Sequence, residues 1–227
     1  MFRFLSAAVA AAMLCATGVA ALAAGEPTAQ VLLFDSRHLD QVNKGNEVTY
    51  RFERKVSDER LLGAPFSDDI KLDVARVGDK GEREVVFKVF TGAQARDPSS
   101  WPDLTINPLL VWYLERAVAT FTQLVGGSQQ YVKVRIRESF KESAKVEAIK
   151  HDYKGKSIDA YRVSITPFLN DPNAPSMEGF QDSNFAIIVS NEVPGYFVEL
   201  VSNFQSRVAG APTLNESISL VGMGEAQ

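Results

Sequence analysis

Three observations predict an α+β fold: a curved antiparallel β-sheet, a half-barrel, with a helical hairpin packed on its concave face. Apolar residues alternate in the first and last thirds of the chain. Between those thirds they recur at helical spacing. Turn residues mark the joins. The 227 residues, 45% hydrophobic with a net charge of −4, suit a folded chain rather than a disordered one. A mildly acidic chain offers no basic face for phosphates, so nucleic acid is not an expected partner.

The chain opens with Met1-Phe2-Arg3, followed by an Ala-rich apolar run to Leu22. One positive charge, a short apolar stretch and small residues make the layout of a secretory signal peptide. Ala21-Leu22-Ala23 supplies the cleavage site, so residues 1–23 read as the leader and 24–227 as one β-rich domain with a helical insertion around 107–140. Cys15 lies inside the leader, and Leu14 before it spoils a lipid-attachment motif. The expected product carries no disulfide, is held by its core alone and works in the periplasm. No later segment has the ~18 continuous apolar residues of a membrane span.

Ala29 to Phe34 reads as a first strand. In Glu47 to Arg54, Val48, Tyr50 and Phe52 share one face and Thr49, Arg51 and Glu53 the other, a half-buried strand. Ile70 to Val74 and Glu84 to Phe90 repeat the pattern around a turn at Gly78 to Gly81, which predicts a hairpin. Ala93 to Pro102 is rich in Asp, Pro and Ser and reads as a loop.

Asn107-Pro108 gives an N-cap and a first-turn proline for a helix from Leu109 to Val125, stopped by Gly126-Gly127. Its first half, Leu109 to Leu114, is apolar on every side, so it is deeply buried or leans on something else apolar. From Ser128 to Phe140 two periods compete. Val132, Val134 and Ile136 alternate, while Val132, Ile136 and Phe140 stand four apart; Ser128 as a cap favours a second helix. Val146 to Tyr153 and Ser157 to Thr166 predict another hairpin, and Asn170 to Pro175 a loop. Asn184 to Val189 is a continuously apolar central strand, Tyr196 to Val201 pairs back after Pro194-Gly195, and Ser217 to Val221 adds a final edge strand.

Chemistry-bearing patterns are sparse. The two histidines, His38 and His151, and the lack of a G-x-S-x-G elbow give nucleophilic catalysis no local signature. Asp35, His38 and Asp40 could make part of a metal site or a polar turn. Asp171, Asn173 and Glu178 faintly resemble calcium ligands, but prolines interrupt the spacing. Asp68 and Asp69 are adjacent and point apart on a strand. No cofactor is expected. Between Tyr131 and Lys156 eight bases face four acids. Lys133, Arg135 and Arg137 head that run, which is either a patch for an anionic envelope component or a solvated face. The apolar helix offers a second pair of readings: plain core packing, or one wall of a dry cavity for acyl chains, with Leu109, Trp112, Tyr113 and Phe121 as ligand contacts.

The run from Asn107 through Glu115-Arg116 to Gly126-Gly127-Ser128 and Tyr131 to Arg137, with Ser190 to Gly195, resembles a family of uncharacterised exported proteins of proteobacteria. That resemblance covers most of the mature chain and implies no catalytic residues. A looser resemblance of architecture, in the strand–helix–strand order, is to periplasmic lipoprotein carriers and lipid-binding lipoproteins, whose unclosed barrels hold acyl chains under helices. Three functions are therefore open. The first is a soluble, non-catalytic periplasmic binding protein for a lipid or other apolar ligand. The second is an interaction module with a filled core that meets an anionic surface. The third is a hydrolase assembled from dispersed residues.

Overall fold

The computed structural model describes residues 26–226. The expected leader and its cleavage site lie outside the described residues. The described residues form one nine-stranded antiparallel sheet that does not close, with helices packed on it. The strands are β1 (Asn46–Val56), β2 (Phe66–Val77), β3 (Arg83–Val89), β4 (Ser99–Leu104), β5 (Lys145–Tyr153), β6 (Lys156–Ile165), β7 (Asn184–Val189), β8 (Phe197–Phe204) and β9 (Leu214–Glu225). Their order across the sheet is β4-β3-β2-β1-β9-β8-β7-β6-β5. Two runs of neighbouring hairpins are thus joined by the last strand, which pairs with β1 and β8.

The helices are α1 (Glu59–Leu62), α2 (Leu109–Val125) and α3 (Gln129–Glu142). The Asn107 side chain accepts the Leu109 N–H at 3.0 Å and so caps the start of α2. Ser128 caps α3 by accepting the Tyr131 N–H, which resolves the competing periods in favour of a helix. Leu109, Leu110, Tyr113, Ala117, Val118 and Phe121 of α2 are buried against the sheet, while Val111, Glu115 and Ala119 face outward. On the α3 side, Val111, Leu114 and Val118 share with Phe34, Ile136 and Phe140 the walls of a small apolar pocket of about 160 Å³. That seam accounts for a helix apolar on more than one side.

Three elements differ from the sequence reading. Ala29 to Phe34 is no strand; Val31–Asp35 is a helical turn. A four-residue apolar run carries no period of its own, and Thr28 fixes the turn by accepting the Val31 N–H. The end of the expected Ala93–Pro102 loop belongs instead to edge strand β4, Ser99–Leu104, paired to β3 by residues that are mostly exposed. An edge strand needs no apolar face, and Pro102 is tolerated there. The final strand is central and runs twelve residues.

Inward-facing side chains of both halves merge into one core, which includes Tyr50, Phe52, Phe121, Phe168, Phe185, Phe197 and Phe204. Beneath α2 this space is filled. Phe121 stacks on Phe168 with ring centroids 4.0 Å apart, and the Tyr113 hydroxyl donates to the Val201 carbonyl at 2.7 Å. A smaller cluster of Ile158, Ala160, Ile188, Val193 and Val198 packs separately.

Candidate functional site

Along β1 the inward positions are Val48, Tyr50, Phe52 and Arg54. A strand that alternates every second residue thus carries a buried phenol and, four residues on, a guanidinium on the same face. These two polar groups organise two different places.

At Tyr50 the environment is sealed. Asn107 Nδ2 donates to the Tyr50 hydroxyl at 2.9 Å and to the Gly195 carbonyl at 2.8 Å. The Asn107 N–H donates to His38 Nδ1 at 3.2 Å. The His38 ring stacks on Tyr196 with centroids 4.6 Å apart. Burial lowers the His38 pKa to about 4, with the Leu32 carbonyl opposing the shift. The Tyr50 pKa is pushed up, chiefly by burial. Gly195 has φ +73°, and a Cβ there would stand 2.4 Å from the Tyr50 hydroxyl, so the turn and the close approach both demand glycine. The network joins the β1 strand, the start of α2 and the Ser190 to Gly195 turn. It holds no nucleophile beside a base.

At Arg54 the fold opens into a groove of about 670 Å³ between α2, the α1 turn and the loop after β3. Its floor is aromatic. Phe66 and Phe90 meet edge to face at 5.3 Å, and Phe90 meets Trp112 likewise at 5.7 Å. Phe90 has φ +65°, an unusual conformation for a bulky residue. It follows Val89, an inward residue at the end of β3, and the left-handed backbone lets a second consecutive side chain turn inward. Asp68 holds the chain just beyond, accepting the N–H groups of Thr91 and Gly92 at 3.0 and 3.1 Å. Partial burial works against the Asp68 charge, but these N–H groups, that of Asp69 and the Thr91 hydroxyl keep its carboxyl below the ordinary range. The Arg96 N–H closes the loop on the Val89 carbonyl at 3.1 Å.

One wall carries charge. Glu216, on β9, is buried and shared by two arginines. Arg116 grips it through Nε at 2.9 Å and Nη2 at 2.6 Å. Arg54 reaches the same carboxylate through Nη1 and donates Nη2 to the Leu62 carbonyl at 2.9 Å, tying the α1 turn to the site. The Arg116 guanidinium also lies over the Phe52 ring, 4.7 Å from its centroid, and near Trp112 at 5.5 Å. Two cations against one buried anion leave the wall positive.

Of the residues expected to meet a ligand, Trp112 lines this groove, whereas Leu109, Tyr113 and Phe121 point into the core. The groove lies beside α2 and not beneath it, and polar and apolar side chains share its lining. Of the basic trio, Lys133 pairs with Glu115 at 2.7 Å and Arg135 with Asp171 at 2.7 Å, while Arg137 is exposed near the α2–α3 seam. Asp171 is occupied by the Tyr131 hydroxyl, Arg135 and the Asn173 N–H, the bonding of a structural anchor. Asp40 pairs with Arg37, and His38 turns inward away from it. No group of three His, Cys, Asp or Glu able to hold a metal is found among the described residues. No helix among them is long and apolar enough to cross a membrane. Sequence reading missed Arg54, Arg116 and Glu216. The available signal was that β1 and β9 each place one charge on their apolar face.

No protein-family model matches the chain, and no curated protein does. Among solved structures, the Mycobacterium tuberculosis lipoprotein LppX is similar at 10% sequence identity, over 80% of this chain and 87% of that one, with a TM-score of 0.35. The resemblance to exported proteobacterial proteins rests on the segments quoted above alone.

Proposed function

We propose that this protein is a non-catalytic binding module for a lipid-like ligand, exported to the periplasm by the leader read in residues 1–23, and that the groove beside α2 is its site. The observation that carries this reading is the aromatic floor of Phe66, Phe90 and Trp112 beside a polar wall, in a space of about 670 Å³. Ligand sites of roughly 300–1,000 Å³ are usual, and this one is amphipathic, its three aromatics facing as many arginines with Gln94, Glu115 and Gln123 beside them. The strained Phe90 supports it further, because backbone strain concentrates where a surface must be shaped. Arg54 and Arg116 are held by Glu216 and, for Arg54, by the Leu62 carbonyl, a fixed arrangement that suits recognition.

The test is native mass spectrometry of the mature protein incubated with palmitate, alongside an Ala119→Trp variant. Ala119 is exposed on the groove wall, so the indole fills the groove without entering the core. The reading predicts a one-to-one adduct in the parent protein and none in the folded variant. No adduct in either, or equal adducts in both, overturns it.

A further inference from the structure

The geometry points to a single-chain amphiphile with an anionic head as the groove's ligand, the head meeting the arginines and the chain lying on the aromatic floor. This inference rests on the proposed function and narrows it.

The charge balance of the groove is one-sided. Arg54, Arg96 and Arg116 line it. Against them stand Glu216, which the two inner arginines already share, and Glu115, whose carboxylate Lys133 holds at 2.7 Å. The pairing with Glu216 uses Nε and Nη2 of Arg116 and leaves Nη1 outside it; Arg54, committed through both Nη atoms, keeps Nε. A planar, permanently charged fork with unspent N–H groups matches a carboxylate or phosphate oxygen.

The surroundings sharpen the preference. Glu216 is only 5% exposed at its side chain, and Arg54 and Arg116 are 12% and 22% exposed. Charges so far from water attract an anion more strongly than surface lysines do. Arg116 is also pinned over Phe52 and Trp112, so its orientation is set before a ligand arrives. Trp112 therefore serves both parts of the ligand: one neighbour is the cation and the other is Phe90 on the floor. A neutral polar head would leave the surplus positive charge without a partner. A cationic head would be repelled.

Isothermal titration with three probes of the same acyl length tests this: palmitate, 1-palmitoyl lysophosphatidic acid and 1-palmitoylglycerol. Both anionic probes are expected to bind about tenfold or more tighter than the neutral one at low salt, with the preference shrinking in 0.5 M NaCl. Arg96 is exposed and outside the Arg54–Glu216–Arg116 cluster, so Arg96→Glu is expected to fold and to pull the ratio of anionic to neutral affinity toward one. Lys150→Glu, on β5 and remote from the groove, is expected to keep the parent ratio. Equal binding of charged and neutral probes overturns the anionic-head inference while leaving the proposed function standing. Binding of none of the three overturns the proposed function itself.

Discussion

Tyr50 and Arg54 lie on one face of one strand, about 13 Å apart at the ~3.3 Å rise of a β-residue, yet they build opposite environments. Both lie against α2, Tyr50 through Asn107 at its start and Arg54 through Glu216 and Arg116 further along. Around Tyr50 the groups are neutral and buried; the Asn107 amide, the Tyr50 phenol and the Gly195 carbonyl bond one another, while His38 Nε2 has no hydrogen-bond partner among the described residues. Around Arg54 they are charged, unbalanced and open to a groove. A neutral network can be sealed at modest cost, because each hydrogen bond replaces one to water. A surplus charge cannot, so the second place stays open and keeps capacity for a guest. The same β1–α2 pairing thus supplies a clasp for the fold at one point and a receptor at another.

The sharpest way to break that contrast is to cut the clasp. Asn107→Ala removes a helix cap and takes from the Tyr50 hydroxyl and the Gly195 carbonyl their shared amide donor, while the backbone N–H to His38 Nδ1 remains. The loss in urea unfolding is expected to be about 4 kcal/mol. In the groove, Glu216→Gln strips the shared carboxylate from two poorly exposed arginines, and about 3 kcal/mol should be lost. Because that change also raises the positive charge, any folded fraction should bind palmitate at least as well as the parent. A stability loss at Glu216 far larger than at Asn107 would reverse the assignment of clasp and receptor.

The next effect depends on pH. His38 titrates near 4 in the fold and near 6.5 when unfolded, so the unfolded chain takes up its proton first on acidification. Its contribution is complete above about pH 6.5 and is lost as pH falls toward 4. Between pH 7 and pH 5 the parent should lose about 2 kcal/mol from this group. Carboxylates held low, such as Asp68 and Asp171, add acid sensitivity of their own, mostly below the ordinary carboxylate range. His38→Gln should flatten the pH 5–7 slope while lowering stability at pH 7. A variant with the parent's slope would remove His38 from the account. The smallest effect belongs to the basic run. Lys133→Glu breaks a solvent-exposed pair and should cost about 0.5 kcal/mol or less in thermal unfolding.

Much of the fold was legible because its signals are periodic. The alternation of Val48, Tyr50 and Phe52 and the spacing of Leu110, Leu114 and Val118 each answer to one buried face, whatever lies opposite. Position in the sheet was not legible. The last strand reads as an edge because Glu216 interrupts its apolar face and Gly222 and Gly224 weaken its end, yet it sits between β1 and β8. Strand β4 was hidden because an edge places few demands on side chains. The site was hidden for a related reason. Trp112 stood out as an aromatic residue in an apolar helix, but Arg54, Arg116 and Glu216 are scattered over the chain and become a unit only when β1, β9 and α2 meet. Phe90 gave no signal at all, since its inward turn comes from a backbone angle and not from its place in the alternation.

Trp112 also provides the most direct measurement. The chain has two tryptophans, and Trp101 is exposed on β4, so a Trp101→Phe variant leaves Trp112 as the only indole reporter. Titrating that variant with palmitate should move the Trp112 emission to shorter wavelength and saturate at one equivalent, because the acyl chain displaces water from the groove. An emission spectrum unchanged while native mass spectrometry shows palmitate bound would place the ligand elsewhere and contradict the groove as the site.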